Sequence, residues 1–262
     1  MGQGSAKALL FSFFGLAMTT DPHRFELPEP EGWRWLAASV HLFTALGVVC
    51  ALLAVNALLD RAFEMAFLWL GVAMIIDGVD GTFARALDVK RRLPRFSGEK
   101  LDQVVDYVTY VFVPALALQL GGHLDGIWGG VLASLILLSS LFHFCDNGNK
   151  ADDHCFVGFP AIWNVVAFYV FAFALPGWAV YVLVLLCVAL TFVPMRWLHP
   201  MRVKALRPIN LAMSALWALA AIWTVAMGFP AGPAASASLG LVALYGVSLS
   251  VLWPLLGGED ET

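Results

Sequence analysis

The chain has 262 residues, of which 60% are hydrophobic and 13% charged, with a mean hydropathy of +0.80 and a net charge of −4. A soluble domain carries about 25% charged and about 45–50% apolar residues, so this composition excludes an ordinary soluble protein and indicates a multi-pass membrane protein. We expect no nucleic-acid partner. The four cysteines show no spacing typical of a disulfide framework or a CxxC site.

The N-terminal segment, residues 1–34, is predicted to be cytosolic. Residues 8–18 are apolar, but they are too few to cross a hydrocarbon core of about 30 Å, which needs about 20 helical residues. We interpret them as an interfacial helix against the membrane, and a helix packed under the bundle fits the pattern equally well. Proline and charge in residues 19–32 predict a loop.

Eight later segments are long, apolar and poor in charge, and these features predict an all-α bundle of about eight transmembrane helices. The segments are residues 35–59, 63–87, 101–121, 127–145, 159–175, 178–195, 208–228 and 236–255. The fifth and sixth are the hardest to separate, because only Pro176 and Gly177 lie between them.

The distribution of basic residues predicts the orientation of these spans. With eight spans, all of the 15 Lys and Arg residues except Arg61 fall on the side that holds both termini. Because Lys and Arg are enriched in cytoplasmic connectors, that side is predicted to be cytosolic.

Four aspartates lie at the predicted cytosolic ends of two consecutive spans. Asp77 and Asp80 come near the end of the second span, and Asp102 and Asp106 near the start of the third. Offsets of three and four residues place each pair on one face of its helix. Clustered carboxylates at membrane depth are costly and repel one another unless cations intervene. Oxygen ligands suit Mg²⁺, Mn²⁺ or Ca²⁺, and two carboxylate-bridged ions are a standard device for displacement at phosphorus.

Small residues and one arginine share these helix faces. Gly81, Ala84 and Arg85 follow the first pair of aspartates, and Gly98 precedes the second pair. Small side chains leave room for a flat ligand against the backbone. Solvated helix-end charges paired with nearby Lys and Arg would explain any one of the aspartates, but not all four at these offsets.

This arrangement resembles the signature of the CDP-alcohol phosphotransferases, which here runs Asp77-x2-Asp80-Gly81-x2-Ala84-Arg85, a connector, then Gly98-x3-Asp102-x3-Asp106. These integral membrane enzymes transfer a substituted phosphoryl group from a CDP-activated alcohol and release CMP. Twelve residues separate Arg85 from Gly98, more than in most members. The longer connector resembles that of the bacterial phosphatidylcholine synthase branch.

Three further stretches resemble that branch: residues 41–47, residues 150–160 with 163–164, and residues 191–194 with 199–202. The resemblance therefore extends over about residues 35–207. It implies a six-helix phosphotransferase core there, with two additional helices and a short cytosolic tail in residues 208–262.

The resemblance also implies roles for individual residues. Two Mn²⁺ or Mg²⁺ ions would be held by Asp77, Asp80, Asp102 and Asp106, and Asp106 would also be the catalytic base. The nucleotide would be bound by Asp77, Gly81, Ala84, Arg85 and Gly98.

Two sets of weaker candidates accompany these residues. Phosphate contacts are assigned to His41, Lys150 and Arg202. For His41, capping a polar pocket is an equal alternative. For Lys150 and Arg202, the equal alternative is anchoring at lipid headgroups. Because a quaternary ammonium favours aromatic faces, contacts to choline are assigned to Tyr107, Tyr110, Phe156 and Trp163. Packing is the alternative for each of these aromatic residues.

The resemblance implies transfer of the phosphatidyl group of CDP-diacylglycerol to choline in a bacterial inner membrane, among membrane lipids, by an enzyme that can form a homodimer. The same chemistry with serine, inositol or glycerol phosphate is the first alternative. A cation or proton transporter is the second, since intramembrane carboxylates also mark such proteins. A structural membrane protein that binds divalent ions is the third.

Overall fold

The computed structural model describes residues 31–146, 156–193, 196–197 and 206–255. The helices in these ranges, in chain order, are α1 (Glu31–Leu59), α2 (Phe63–Ala86), the single turn α3 (Val89–Arg92), α4 (Gly98–Leu120), α5 (Gly126–Cys145), α6 (Trp163–Ala172), α7 (Gly177–Thr191), α8 (Arg207–Met227) and α9 (Pro233–Leu255). The predicted interfacial helix at residues 8–18 lies outside the described residues.

Five of these helices, α1, α2, α4, α5 and α8, are long and apolar enough to cross a membrane. Helices α6 and α7 are shorter apolar helices, and α9 contributes a third over Pro233–Leu249. Each of the eight predicted spans overlaps one of these helices. The predicted all-α, multi-pass membrane bundle is therefore confirmed.

The fifth span differs from its predicted extent, because α6 covers only Trp163–Ala172 instead of residues 159–175. Pro160 lies in the non-helical entry, where the backbone N–H of Phe159 donates to the carbonyl of Leu190 at 3.0 Å. The helix ends before Ala174, which has a left-handed φ of 47°. An apolar composition does not show where the backbone leaves the helical region, so the predicted span was too long.

The connections bring one end of α1, α2 and α4 together. Helices α1 and α2 pack against each other and are joined by a tight turn in which Ala62 N–H donates to Ala57 O at 2.9 Å. The start of α1, the end of α2 and the start of α4 therefore lie at the same end of the bundle. Helix α3, within the connector between α2 and α4, packs against α1 there.

Helix α4 is not α-helical throughout. A π-helical segment, Tyr107–Phe112, separates its two α-helical parts. Pro114 follows this segment and has no N–H to donate to the carbonyl of Tyr110, which an α-helix would require. Local π turns are frequent at functional sites. Asp106 is the last residue before this segment.

Two connectors pair with each other through a short antiparallel strand pair of two residues each, β1 (Phe156–Val157) with β2 (Arg196–Trp197). Gly158 follows β1 with φ +82°, and a Cβ there would lie 2.5 Å from the carbonyl oxygen of Thr191. Glycine is therefore required for this close approach. The pair joins the loop before α6 to the loop after α7, two of the stretches on which the family resemblance rests.

The last two helices, α8 and α9, are attached to the rest of the bundle by polar contacts as well as packing. The Glu64 carboxylate accepts a hydrogen bond from Phe229 N–H at 3.2 Å. The Tyr169 hydroxyl donates to Leu239 O at 2.9 Å. Phe229 also packs its ring against Phe67.

The Glu64 contact predicts a measurable contribution to stability. In Glu64→Ala the half-buried Phe229 N–H loses its acceptor, which costs up to about 1 kcal/mol. We expect a lower thermal unfolding midpoint in detergent micelles than for wild type. Asp60→Ala, an exposed carboxylate at the same end of α2, is the matched control. Equal midpoints for the two variants would contradict this role of Glu64.

Candidate active site

The four predicted aspartates lie on the helix ends that the α2–α4 connection brings together. Asp77 and Asp80 are in the last turns of α2, and Asp102 and Asp106 are in the first turns of α4. Carboxylate oxygens of Asp77, Asp102 and Asp106 all lie within 4.8 Å of one another. We call these three residues the acidic cluster.

Asp80 lies outside the acidic cluster and has a different environment. Its side chain is buried, with 6% exposed, and it accepts a 2.6 Å hydrogen bond from the hydroxyl of Thr44 on α1. A hydrogen bond to an ionised group is short and strong, so Thr44 fixes the orientation of the Asp80 carboxylate.

The chemistry of the acidic cluster fits a divalent cation. Carboxylate oxygens of Asp77 and Asp106 lie within 4.8 Å of each other, and carboxylates this close repel each other unless a proton or a cation lies between them. The hydroxyl of Tyr110 donates to Asp77 at 2.7 Å, which leaves other carboxylate oxygens available as ligands. An all-oxygen donor set is the preference of Mg²⁺ and Mn²⁺.

A cavity of about 600 Å³ lies beside the acidic cluster, between α1, α2, the connector and α4. Of the predicted site residues, it is lined by His41, Asp80, Gly81, Ala84, Arg85, Gly98 and Asp102. Asp102 belongs both to this lining and to the acidic cluster. Two predicted metal ligands, Asp80 and Asp102, thus share the cavity lining with four of the five predicted nucleotide-binding residues.

Gly81 and Gly98 face different neighbours in this cavity. A Cβ added to Gly98 would lie 2.9 Å from Cε1 of His41, inside van der Waals contact. A Cβ on Gly81 would meet only a terminal nitrogen of Arg85, at 3.3 Å. Arg85 is exposed, and its guanidinium donates to Thr82 at 3.2 Å. Gly98 thus leaves room for a side chain of α1, whereas Gly81 faces a flexible arginine.

Only one of the aromatic residues assigned to choline contacts the acidic cluster, within the described side chains. Tyr110 donates to Asp77, whereas the hydroxyl of Tyr107 donates to Leu137 O at 3.0 Å. Trp163 is 0% exposed, with its indole N–H donating to Ser140 at 2.8 Å, the environment of a packing residue. The side chain of Phe156 lies outside the described part of the chain, as do Lys150 and Arg202. The choline assignments stay predictions.

Comparison with known proteins decides the family. The family model for CDP-alcohol phosphatidyltransferases matches residues 35–193. The chain belongs to this family. The predicted family and the predicted enzyme class, a phosphatidyltransferase, are confirmed.

Several curated bacterial relatives of this phosphatidyltransferase carry the name phosphatidylcholine synthase. The one from Bradyrhizobium diazoefficiens is 43% identical over 230 residues, which cover 88% of this chain and 86% of the relative. The one from Pseudomonas aeruginosa is 46% identical over 69% of this chain and 76% of the relative. The one from Rhizobium meliloti is 42% identical over 75% of this chain and 82% of the relative.

Two side chains of the phosphatidyltransferase site were not among the sequence candidates. Thr44 holds Asp80, and Phe96 lines the cavity with its ring against His41. Thr44 could have been found from its place three residues after His41, on the same face of α1. Phe96 lies in the connector, which has no periodicity from which its direction could be inferred.

The Thr44–Asp80 contact predicts a specific change in metal dependence. Thr44→Val keeps the side-chain shape and removes the hydroxyl, so the Asp80 carboxylate loses its orienting donor. Loss of such a partner typically weakens metal affinity about 10–100-fold, so we expect at least a tenfold higher Mn²⁺ concentration for half-maximal CMP release.

Two control variants separate this effect from loss of structure. Thr44→Ser keeps the hydroxyl and is expected to retain most of the Mn²⁺ affinity. Thr224→Val removes a buried hydroxyl that bonds Ala220 O within α8 and is expected to leave the Mn²⁺ dependence unchanged. An unchanged Mn²⁺ dependence in Thr44→Val would refute the positioning role.

The close approach at Gly98 predicts that Gly98→Ala is damaging although alanine favours helices. The added methyl group would overlap the His41 ring, and overpacking of this kind costs about 1–3 kcal/mol. We expect reduced activity and a lower unfolding midpoint. Gly78→Ala, on the same helix as the first aspartates, meets nothing within 4 Å and is the matched control. Equal behaviour of the two variants would contradict the close packing.

Proposed function

We propose that this phosphatidyltransferase is a phosphatidylcholine synthase, which joins CDP-diacylglycerol and choline to give phosphatidylcholine and CMP. The observation that carries the proposal is the acidic cluster, three carboxylates within 4.8 Å at the edge of a cavity lined by the nucleotide-binding candidates. The relatives named phosphatidylcholine synthase support choline as the acceptor.

The reaction is a displacement at phosphorus. The hydroxyl oxygen of choline attacks the phosphorus atom that carries diacylglycerol, and the bond from this phosphorus to the oxygen of the CMP phosphate breaks. Asp106 accepts the hydroxyl proton as general base. CMP leaves with the bonding electron pair, so atoms and charge balance without a further reactant.

Two Mn²⁺ or Mg²⁺ ions held by Asp77, Asp80, Asp102 and Asp106 would supply positive charge that stabilises the transferred phosphoryl group and the leaving phosphate. The remaining residues orient these carboxylates and the nucleotide. Tyr110 orients Asp77, and Thr44 orients Asp80. Arg85, at the cavity wall, would contact phosphate.

The location of the site suits these two substrates. The acidic cluster is at an end of the bundle, where the nucleotide headgroup of CDP-diacylglycerol and choline can reach it while the acyl chains remain in lipid. The basic connectors favour the cytosolic side of a bacterial inner membrane for this end and for both termini. The same proposal includes a six-helix core at residues 35–207, two added helices at residues 208–262 and assembly as a homodimer.

Choline has no hydrogen bond to donate from its ammonium group, so aromatic faces and carboxylates must hold it. Tyr110 is the candidate best placed for this role, because its hydroxyl contacts the acidic cluster. Tyr107 donates its hydroxyl to Leu137 O and Trp163 is fully buried, so these two side chains would need a different arrangement to contact choline. Phe156 precedes α6 and stays a candidate from the sequence.

The proposal predicts Mn²⁺-dependent CMP release that requires choline. We would supply purified protein in lipid nanodiscs with CDP-diacylglycerol and labelled choline, serine, inositol or glycerol phosphate. We expect incorporation of choline alone, loss of activity with a chelator and recovery with added Mn²⁺. Asp106→Asn should reduce the rate about 10²–10⁴-fold, the usual contribution of a general base.

Asp125→Asn is the matched control, because Asp125 lies between α4 and α5 at the opposite end of the bundle. We expect it to keep wild-type activity. Incorporation of serine and not choline would overturn the acceptor assignment, and full activity in Asp106→Asn would overturn the role of Asp106. Ion flux into liposomes with no CMP release would favour a transporter.

A further inference from the structure

The connector between α2 and α4 carries a concentration of positive charge that the reaction does not use. Residues 87–97 include four basic side chains and a single acidic one, Asp88. The basic residues are Lys90, Arg91, Arg92 and Arg95. Three of them are exposed, and Arg92 is half-buried. This charge lies at the end of the bundle where α1 begins, because α3 packs against α1 there.

Two buried side chains fix the backbone beneath these charges. Val89 and Leu93 are buried and pack together with Ala37 and Val40 of α1. Since they are four residues apart, they lie on one side of the turn, and Arg91 midway between them points away from α1. Apolar contacts therefore hold the charged side of α3 on the outside of the bundle.

A tryptophan at the start of α1 sets the level of this charge relative to the membrane. The guanidinium of Arg92 lies over the ring of Trp33, 4.6 Å from its centroid. Trp33 is itself 46% exposed, in the first turn of a helix that is long and apolar enough to cross a membrane. Tryptophan is enriched where such helices meet the lipid headgroups. The contact therefore places Arg92, and α3 with it, at the level of the headgroups.

Most of this charge lies outside the wall of the active-site cavity. Lys90 is a lining residue of that cavity, whereas Arg91, Arg92 and Arg95 are not among its lining residues in the described part of the chain. Arg91 pairs with Asp88 at 2.6 Å, but both side chains are about half exposed, so this ion pair is weak. We call Arg91, Arg92 and Arg95, together with Trp33, the connector surface.

Charge complementarity identifies the partner of the connector surface. Anionic phospholipids give the cytoplasmic leaflet a negative potential that attracts basic clusters beside transmembrane helices. Guanidinium groups also match the geometry of phosphate. We propose that the connector surface binds anionic phospholipids in the leaflet at this end of the bundle, with Arg91 and Arg95 on the phosphates and Trp33 among the headgroups. This inference goes beyond the proposed function and does not depend on the acceptor.

The test measures which lipid lies beside Trp33 in the complete protein, in nanodiscs without substrate. Brominated phosphatidylglycerol, which is anionic, would be compared with brominated phosphatidylethanolamine, which is zwitterionic, as a quencher of tryptophan fluorescence. The Trp33 signal is the difference between each protein and the same protein carrying Trp33→Phe. One basic residue near an anionic leaflet contributes about fivefold in binding. We therefore expect at least a fivefold preference for phosphatidylglycerol, which added salt should weaken.

Three variants assign this preference to the connector surface. Arg91→Gln/Arg95→Gln removes two positive charges and should lower the preference below twofold. Arg91→Lys/Arg95→Lys keeps the charge and should retain most of the preference. Arg207→Gln is the matched control, because Arg207 is an exposed basic residue at the start of α8, at the same end of the bundle. It should keep the wild-type preference.

An enzymatic measurement distinguishes the connector surface from a contact with the substrate. In nanodiscs without phosphatidylglycerol, Arg91→Gln/Arg95→Gln should keep KM for CDP-diacylglycerol within twofold of wild type. A raised KM there would assign these guanidinium groups to the substrate phosphates and would overturn the inference.

Equal quenching of wild type by the two lipids, or an unchanged preference in Arg91→Gln/Arg95→Gln, would also overturn it. Because the quenching needs neither CDP-diacylglycerol nor choline, an absence of CMP release would overturn the proposed function and not this inference.

Discussion

Electrostatic repulsion among the carboxylates of Asp77, Asp102 and Asp106 is the constraint on which the site depends. Carboxylate oxygens within 4.8 Å of one another, at the end of an apolar bundle, are unfavourable without a compensating cation or proton. Tyr110 donates a hydrogen bond to Asp77 and Thr44 donates one to the neighbouring Asp80, and neither of these donors carries a positive charge. The arrangement is therefore prepared for hard divalent cations, and phosphoryl transfer is the chemistry that such cations support.

The connection between α2 and α4 makes this arrangement possible. It returns the chain to the same end of the bundle, so that two pairs of aspartates on different helices can meet. Its residues also form one wall of the cavity, where Phe96 packs on His41 and Gly98 leaves room for the imidazole. The long connector that distinguishes the sequence thus shapes one wall of this cavity. Tyr110, which contacts Asp77, is the residue proposed for the acceptor side.

Much of this was predictable from the sequence, because membrane spans and helix faces follow from local patterns. Scarcity of charge located the helices, and offsets of three and four placed Asp77 with Asp80 and Asp102 with Asp106. Contacts between helices have no such pattern, so the Thr44–Asp80 hydrogen bond and the position of Phe96 were not foreseen. The π-helical segment after Asp106 was also missed, although Pro114 removes a helical donor four residues after Tyr110. Aromatic composition alone could not distinguish Tyr110 at the cluster from Trp163 in the core.

The central claim is that the four aspartates form a two-ion site for phosphatidyl transfer. The most direct measurement is the number of Mn²⁺ ions bound per chain at saturation, determined by electron paramagnetic resonance in nanodiscs containing CDP-diacylglycerol. The account predicts two ions in wild type and fewer in Asp77→Asn and Asp102→Asn, with choline-dependent CMP release falling in parallel. Full CMP release by protein that binds no Mn²⁺ or Mg²⁺, or two bound ions retained in both variants, would contradict it.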